Sequence, residues 1–159
     1  MQSQVLSTQV SAAAELTSWI RFLRAHAALT RELSSRLEAQ HGLSLRDFDV
    51  LVQLYHAPAR RMRRIDIART VLLSPSGITR LLDGLERSGW VAKEECESDA
   101  RVTWAVLTQA GETKYTAAQS THVADIEELF GSRFSDDERA QLAEFLGRLP
   151  LADAGACNR

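Results

Sequence analysis

The stretch from Leu73 to Leu107 limits the possible folds most, because it combines the signals for a short helix, a tight turn and a β-hairpin. Ser74 is a good N-cap, and Pro75 suits the first helical position, where its missing N–H has no partner to lose. Gly89 is a typical helix terminator. The pattern predicts a helix from Ser74 to Ser88. Its apolar residues recur at helical spacing on one narrow face: Ile78, Leu81, Leu82 and Leu85.

The opposite face of this helix carries small, hydroxyl-bearing and basic side chains near its N-terminus. They are Ser76, Gly77, Thr79 and Arg80. This mix is typical of helices that contact base edges and phosphates in a DNA major groove. Arg80 is the best candidate for reading a base, because a guanidinium can bind guanine O6 and N7 together. The alternative is an ordinary solvated helix face.

Further helices precede this unit. Apolar residues at three- and four-residue steps predict an amphipathic helix from about Ser11 to Gln40, which is long for a small domain. Part of its apolar stripe therefore needs a neighbour, and a second copy of the chain is the simplest one. A second helix begins after Ser44, and a brief helix around Ile67 and Ala68 completes a helix-turn-helix pattern. The predicted inward residues of the second helix are Phe48, Leu51, Val52 and Tyr55.

The chain changes to strand patterning after Trp90. Residues 91–97 and 101–107 are predicted strands around a turn at residues 98–100. Val102, Trp104 and Val106 alternate as in a half-buried strand. Two helices follow, from Gln109 to about residue 130 and after the capping box of residues 135–138. The apolar residues of the first of them are Tyr115, Val123, Ile126, Leu129 and Phe130, and the predicted inward residues of the second are Leu142, Phe145, Leu146 and Leu149.

These elements predict a mainly α-helical fold with a small β-hairpin wing. We divide the chain into an N-terminal dimerisation helix (1–43), a winged helix-turn-helix lobe (44–107), C-terminal dimerisation helices (108–150) and a flexible tail (151–159). No apolar run approaches the roughly 18 residues of a membrane span, and the start of the chain lacks the pattern of a secretion signal. We therefore expect a cytoplasmic protein without membrane contact.

The charge of the chain is unevenly distributed. The formal net charge is −2, yet the segment from Pro58 to Trp90 holds seven arginines against three acidic residues, a local +4 against −6 elsewhere. A basic segment, Arg60–Arg64, opens this part of the chain. A basic middle on an acidic frame suits double-stranded DNA as a partner, with Arg63 and Arg64 as phosphate contacts. A solvated loop is the equal alternative for the basic segment.

Nothing in the sequence predicts a cofactor, a metal site or an active site. Cys96 and Cys157 have no paired spacing, and the four histidines share no ligand-like spacing with cysteines or carboxylates. Motifs for phosphate loops, dinucleotide binding and nucleophile elbows are absent. The acidic neighbours Glu95 and Glu97 disfavour a redox thiolate at Cys96. We therefore expect a protein that is not an enzyme.

Five local motifs occur in order between residues 67 and 111, within an order of elements that covers nearly the whole chain. They are Ile67-Ala68, Leu73-Ser74-Pro75-Ser76, Thr79 to Val91, Asp99-Ala100-Arg101 and Leu107-Thr108-Gln109-Ala110-Gly111. In this order and spacing they resemble the MarR family of bacterial winged-helix transcription regulators. The resemblance implies a homodimer with interlocked first and last helices, two lobes on a pseudo-palindromic promoter site, and a small-molecule pocket between dimer helices and lobe. It implies a repressor that releases DNA when a small ligand loads.

The wing departs from the family pattern. It reads Asp99-Ala100-Arg101 where members often have Asp-Arg-Arg, and it follows several glutamates, so it is less basic than usual. Arg101 is a candidate for minor-groove contact or for a local ion pair with Asp99, and the two roles can coexist. The helix before the recognition helix also begins at Ile65 rather than at a capping Ser or Thr.

Six residues form the candidate effector site: Trp19, His26, Phe48, Asp49, Tyr55 and Lys93. Urate- and phenol-responsive members of the family carry an acidic residue matching Asp49 and basic residues matching Arg80 and Lys93. The resemblance therefore implies a phenolic or aromatic-acid effector. The tryptophan of those members lies in an extra N-terminal helix that Trp19 does not match. The alternative for the aromatic residues is simple core packing.

Two other functions stay open from the sequence. A winged-helix module can serve protein–protein contact without DNA affinity, and it would lack the steep salt dependence of DNA binding. A small enzyme acting on aromatic acids, with Asp49 and a histidine as acid and base, is the last alternative. Turnover of a bound aromatic ligand would support that enzyme.

Overall fold

A computed structural model describes residues 2–71, 75–96 and 99–149, with side chains for residues 16–71, 76–95 and 102–149. The described part contains six α-helices and three β-strands: α1 (Gln2–His41), α2 (Leu45–His56), β1 (Arg61–Arg63), α3 (Arg64–Thr70), α4 (Pro75–Arg87), β2 (Val91–Cys96), β3 (Asp99–Leu107), α5 (Gln109–Leu129) and α6 (Asp136–Gly147). Short 3₁₀ turns lie at Pro58–Arg60 and Gly131–Arg133. The prediction of a mainly α-helical fold with a β-hairpin wing is confirmed, and α1 is longer than predicted.

The three strands form one antiparallel sheet with β3 in the centre, between β1 and β2. Arg63 lies opposite Trp104 across β1 and β3, and Val91 lies opposite Leu107 across β2 and β3. The predicted turn at residues 98–100 is wrong at its end. Asp99 already belongs to β3, because it pairs with Cys96 beyond an irregularity in β2.

One hydrophobic core joins α2, α3, α4, the sheet and α5. Its buried members are Leu37, Leu43, Phe48, Val50, Leu51, Leu54, Ile67, Ala68, Ile78, Leu82, Leu85, Val91, Ala105, Leu107, Tyr115 and Ala118. The predicted α4 stripe is confirmed, with Leu81 only partly buried at its edge. Helix α4 therefore sits on the core by one face and leaves the other face outward.

Two predicted inward faces differ in the structure. On β3 the buried residues are Ala105 and Leu107, while Trp104 lies half-buried on the other side under the Arg61 guanidinium, 4.9 Å from its ring centroid. On α2 the buried residues include Val50 and Leu54, whereas the predicted Val52 and Tyr55 are half-buried. Helix α2 contacts α1, α5 and the sheet, so its burial is not confined to one narrow face.

Several apolar residues on α5 and at α6 are exposed, and among them Phe145 and Leu149 belong to the set predicted to face inward in the last helix. Val123 is 57% exposed, Ile126 37% and Phe145 53%. The buried side of α5 is instead formed by Gly111, Tyr115, Ala118 and His122, at steps of three and four residues. A single chain therefore leaves one apolar side of these helices uncovered.

The predicted helix ends are confirmed where the structure describes them. Ser44 forms a capping box with Asp47 at α2, and Ser135 forms one with Glu138 at α6. At the end of α4, Trp90 N donates to the Leu85 carbonyl at 3.0 Å and Gly89 N donates to the Glu86 carbonyl at 2.9 Å. Gly89 adopts φ +74°, so this is a Schellman ending that requires its glycine. The predicted N-cap Ser74 lies outside the described residues.

Gly111, near the start of α5, packs closely against the backbone of Trp90, which follows the end of α4. We expect that this position does not tolerate a side chain. A Cβ at this position would lie 2.0 Å from the Trp90 carbonyl oxygen, which accepts a hydrogen bond from Thr108 N at 3.1 Å. The backbone must shift to admit it, and overpacking of this kind lowers the free energy of unfolding by about 1–3 kcal/mol. Gly111→Ala should therefore lower the midpoint of urea unfolding.

Gly147→Ala is the matched control, because a Cβ there meets no atom within 4 Å. It should leave the unfolding midpoint unchanged or raise it slightly, since alanine is the better helix former. Equal midpoints for Gly111→Ala and wild type would contradict the close approach of α5 to Trp90.

Candidate nucleic-acid interface

The outward face of α4 presents the predicted groove-contacting residues. Ser76 and Arg80 are exposed, and Gly77 and Thr79 are half-buried beside them. Among the residues that the structure describes, Arg80 forms no hydrogen bond or ion pair, so its guanidinium keeps its donors for an outside partner. Arg87 differs, because its Nε donates to the Asp83 carbonyl at 3.2 Å along the helix. Arg80 is thus the available arginine of α4.

The first two arginines of the basic segment are engaged within the protein. The Arg60 guanidinium stacks on Tyr55, 3.8 Å from the ring centroid, and lies 3.6 Å from a Glu112 carboxylate oxygen. The Arg61 guanidinium lies 3.8 Å from a Glu94 carboxylate oxygen. The local positive charge counted from the sequence is therefore partly compensated by acidic residues of α5 and β2.

The other two arginines of the basic segment lie at the start of α3. Arg63 Nε donates to Asp66 Oδ2 at 2.7 Å, and within the described residues Arg64 forms no ion pair. Arg63, Arg64 and Ile65 line an open groove with Val102 and Thr103 of β3. The groove therefore gives the lobe a basic surface beside the sheet. The side chain of Arg101 and all of Ser74, both predicted contacts, lie outside the described side chains and residues.

A narrow cleft separates α4 from the hairpin and holds Lys93. Its floor is apolar, and its rim is charged. The lining residues are Arg64, Thr79, Leu82, Asp83, Glu86, Val91, Ala92, Lys93, Thr103, Trp104 and Ala105. Lys93 therefore lies with α4 and the wing, apart from the effector candidates on α1 and α2.

Two of the effector candidates meet in an aromatic cluster between α2 and α5. Phe48 is 5% exposed and its ring lies 5.7 Å from Tyr115, while the Tyr55 ring lies 4.4 Å from the same tyrosine. Tyr55 is half-buried and carries Arg60 on its face. Asp49 lies at the surface of α2, where partial loss of hydration raises the pKa of its carboxyl.

Trp19 and His26 lie elsewhere, on the N-terminal half of α1. They flank Phe22, with ring centroids 6.2 Å and 6.4 Å from it. The far end of α1 is the part that reaches α5, where His41 Nε2 is 2.6 Å from Thr121 Oγ1. At 1.5 Å per residue, Trp19 is roughly 33 Å along the helix from that end. A single chain therefore does not bring the six effector candidates together.

His122 is a buried residue of this region whose environment was not predicted from the sequence. It is 8% exposed on α5, its ring lies 4.7 Å from Phe48, and its Nδ1 has no hydrogen-bond partner in the described part of the chain. Burial lowers the pKa of His122, and the charge of Asp125 opposes that shift in part. The signal that identifies it is its helical spacing, four residues after Ala118 and seven after Tyr115.

His122 should make stability depend on pH in the acidic range. Its pKa lies below 6.5 in the folded protein and near 6.5 when unfolded, so the unfolded state binds more protons between the two values. The free energy of unfolding should therefore fall as the pH drops below about 6.5. Urea unfolding of wild type and His122→Leu between pH 5 and 8 measures this, and the variant should show the weaker dependence.

His26→Gln is the control for this experiment, because His26 is exposed on α1. It should keep the wild-type pH dependence. The same pH dependence in wild type and His122→Leu would contradict the assignment to His122.

Helices α3 and α4 and the β2–β3 hairpin together form a known DNA-binding unit. A short helix, a turn and a second helix with an outward arginine, followed by a hairpin, define a winged helix-turn-helix DNA-binding lobe. A sequence profile of the MarR family matches residues 41–102. The chain belongs to the MarR family of transcription regulators.

Similar proteins span most of the chain. The uncharacterised HTH-type transcriptional regulator YkoM of Bacillus subtilis is 31% identical over 79% of this chain and 79% of its own length. The HTH-type transcriptional repressor YetL of the same organism is 30% identical over 70% of this chain and 66% of its own. The crystal structure of Sco3205, a MarR family regulator of Streptomyces coelicolor in complex with DNA, is 26% identical with a TM-score of 0.81, covering 89% of this chain and 92% of that one. These relatives are regulators and not enzymes, in agreement with the prediction.

In the part of the chain that the structure describes, no helix combines the length and the apolar character that a membrane span needs. No group of three or more histidine, cysteine, aspartate or glutamate side chains there is placed to hold a metal ion.

Proposed function

We propose that the protein is a homodimeric, ligand-responsive repressor that binds a pseudo-palindromic promoter site. The observation that carries the proposal is an uncovered apolar surface on the helices outside the lobe. Its members are Leu16, Trp19, Ile20, Phe22 and Leu23 on α1, Val123 and Ile126 on α5, Phe134, and Phe145 and Leu149 at α6, each between 36% and 59% exposed. Apolar patches of this extent mark protein–protein contact sites.

A second copy of the chain is the occupant we propose for this surface. All of its residues lie in the segments 1–43 and 108–150, which the sequence assigns to dimerisation, whereas Ile65 is the one large apolar side chain similarly exposed in the described part of the lobe, 44–107. A dimer built in this way holds two α4 helices outward. They enter successive major grooves when they lie about one helical turn, roughly 34–36 Å, apart. The helical framework thus sets the spacing on which DNA binding depends.

The outward face of α4 and the groove beside β3 support the DNA contacts that we propose. We assign base reading to Arg80 with Ser76, Gly77 and Thr79 beside it, because this face is outward and Arg80 is unengaged within the described residues. Arg63 and Arg64 serve as phosphate contacts in the groove beside β3. Ser74 and Arg101 complete the proposed contacts on the grounds of sequence alone. Repression is the proposed direction, as in the relative named a repressor, YetL.

We propose a phenolic or aromatic acid as the effector. The half-buried Tyr55 ring at the edge of the aromatic cluster of Phe48 and Tyr115 supports this choice, together with the carboxyl of Asp49 on the same helix. Trp19 and His26 reach this region only if the α1 helix of a second copy brings them. A ligand that favours another separation of the lobes needs about 1–3 kcal/mol of coupling to change DNA affinity 5–150-fold.

Footprinting on the promoter beside the protein's own reading frame tests the proposal, repeated with a panel of phenolic and aromatic acids. Protection that is lost with at least one compound supports it. Protection that no compound relieves would contradict the effector assignment and leave the DNA-binding assignment intact. An absence of protection with folded protein would contradict the operator assignment and favour a protein–protein module.

A further inference from the structure

The turn between α2 and β1 holds two consecutive residues in an unfavourable backbone conformation. Ala59 has φ +53° and Arg60 has φ +55°, and within the described residues they are the non-glycine positions with positive φ. Left-handed pairs of this kind favour Asn and Gly, because a Cβ is crowded there. Such strain persists where surrounding contacts hold the chain in place, and it gathers at functional positions.

The Arg60 side chain supplies those contacts. Its guanidinium carbon lies 3.8 Å from the ring centroid of Tyr55 on α2, and its Nη2 lies 3.6 Å from Glu112 Oε1 on α5. Tyr55 in turn packs against Tyr115 of α5 at 4.4 Å. Arg60 is therefore tied to both helices that flank the turn, although the sequence places it in a basic segment suited to phosphates.

The chain that leaves this turn forms the basic side of the lobe. Strand β1 begins at the next residue, Arg61, which lies opposite Val106 of β3. After three residues β1 ends at Arg63, and α3 begins at Arg64. No loop separates Arg60 from Arg63 and Arg64. The direction of the backbone at Arg60 therefore determines the orientation of these two arginines.

We propose that Arg60 is a positioning residue for DNA binding, which fixes β1 and the start of α3 by its stack on Tyr55 and its ion pair with Glu112. It presents Arg63 and Arg64 to the phosphate backbone and touches no phosphate itself. This role rests on the phosphate contacts assigned to those two arginines under the proposed function.

Arg60→Gly tests the contribution of the side chain separately from that of the backbone conformation. Glycine adopts positive φ freely, so the turn keeps its shape while the stack and the ion pair are lost. Binding is measured with a duplex selected from a random pool by the wild-type protein. Affinity should fall roughly three- to tenfold, the effect of losing one exposed cation–π contact and one exposed ion pair. The slope of log K against log salt should stay at the wild-type value, because no phosphate contact is removed.

Two further variants complete the test. Glu112→Gln removes the ion pair and keeps the stack of Arg60 on Tyr55. It should therefore lower the affinity for DNA less than Arg60→Gly does. Arg64→Ala should reduce the salt slope by about one, as expected for a direct phosphate contact. An unchanged slope for Arg64→Ala would contradict the phosphate contact under the proposed function, independently of the Arg60 result.

Wild-type affinity of Arg60→Gly would overturn the proposal, because the side chain would then serve only the turn. A reduced salt slope for Arg60→Gly would also overturn it, because Arg60 would then contact phosphate directly. If Arg60→Gly lowers the melting temperature, the affinity of Glu112→Gln for DNA tests the proposal instead. Wild-type affinity of Glu112→Gln would overturn the proposal. Weaker binding by Glu112→Gln at an unchanged melting temperature would support it.

Discussion

Arg80→Ala should reduce affinity for the specific site by roughly 5- to 150-fold, the loss expected when one bidentate contact to guanine worth about 1–3 kcal/mol is removed. Affinity for mixed-sequence duplex should change much less, because phosphate contacts dominate that binding. The reason lies in the geometry of α4. Arg80 is exposed on the outward face and unengaged within the described residues, while Leu82 and Leu85 anchor the helix on the core. Fluorescence anisotropy with both duplexes measures the two affinities.

Arg80→Lys and Arg87→Ala serve as controls for this prediction. Lysine keeps the charge but loses the planar fork, so Arg80→Lys should also lose specificity. Arg87 lies along α4 through its bond to the Asp83 carbonyl, so its loss should affect both duplexes alike. Equal weakening of specific and mixed-sequence binding by Arg80→Ala would contradict base reading and leave Arg80 as a general phosphate contact.

Ile20→Asp with Leu23→Asp should convert the proposed dimer to a monomer and weaken binding to the full site by roughly 10²–10⁴-fold, the gain that linking two binding modules supplies. The two side chains are 43% and 44% exposed on the same side of α1, and a charge there cannot be buried against a second copy without a partner. Sedimentation velocity gives the mass, and titration with the full site and with a half-site gives the affinities.

Ala28→Asp is the matched control for the dimer, because residue 28 is exposed and its helical spacing places it away from the exposed apolar side of α1. It should leave mass and affinity unchanged. A double variant that stays dimeric, or a monomer that binds the full site as tightly as wild type, would contradict the account of the uncovered surface.

The sequence predicts the lobe and the ends of several helices well because these signals are local. The α4 stripe, the capping boxes at Ser44 and Ser135 and the glycine ending at Gly89 each depend on residues a few positions apart. The β3 burial pattern fails for a long-range reason. Trp104 is covered by Arg61 of β1 rather than by the core, and no local pattern shows which side of a central strand meets α2.

The site is predicted less completely, because its charges pair across long distances in the chain. Arg60 and Arg61 count as phosphate candidates in the sequence, but Glu112 and Glu94 engage them in the fold. Phe145 and Leu149, predicted to face inward in the last helix, are exposed for a related reason. An apolar stripe looks the same whether its own chain or a second copy covers it, as Val123 shows.

In the proposed dimer, two α4 helices read DNA together, one helical turn apart. Hydroxyl-radical footprinting of the selected duplex at low and high salt tests this arrangement most directly. We expect two protected regions whose centres are separated by about 10–10.5 base pairs, and both should be lost as salt rises. A single protected region, or binding to the duplex that does not weaken with salt, would contradict it.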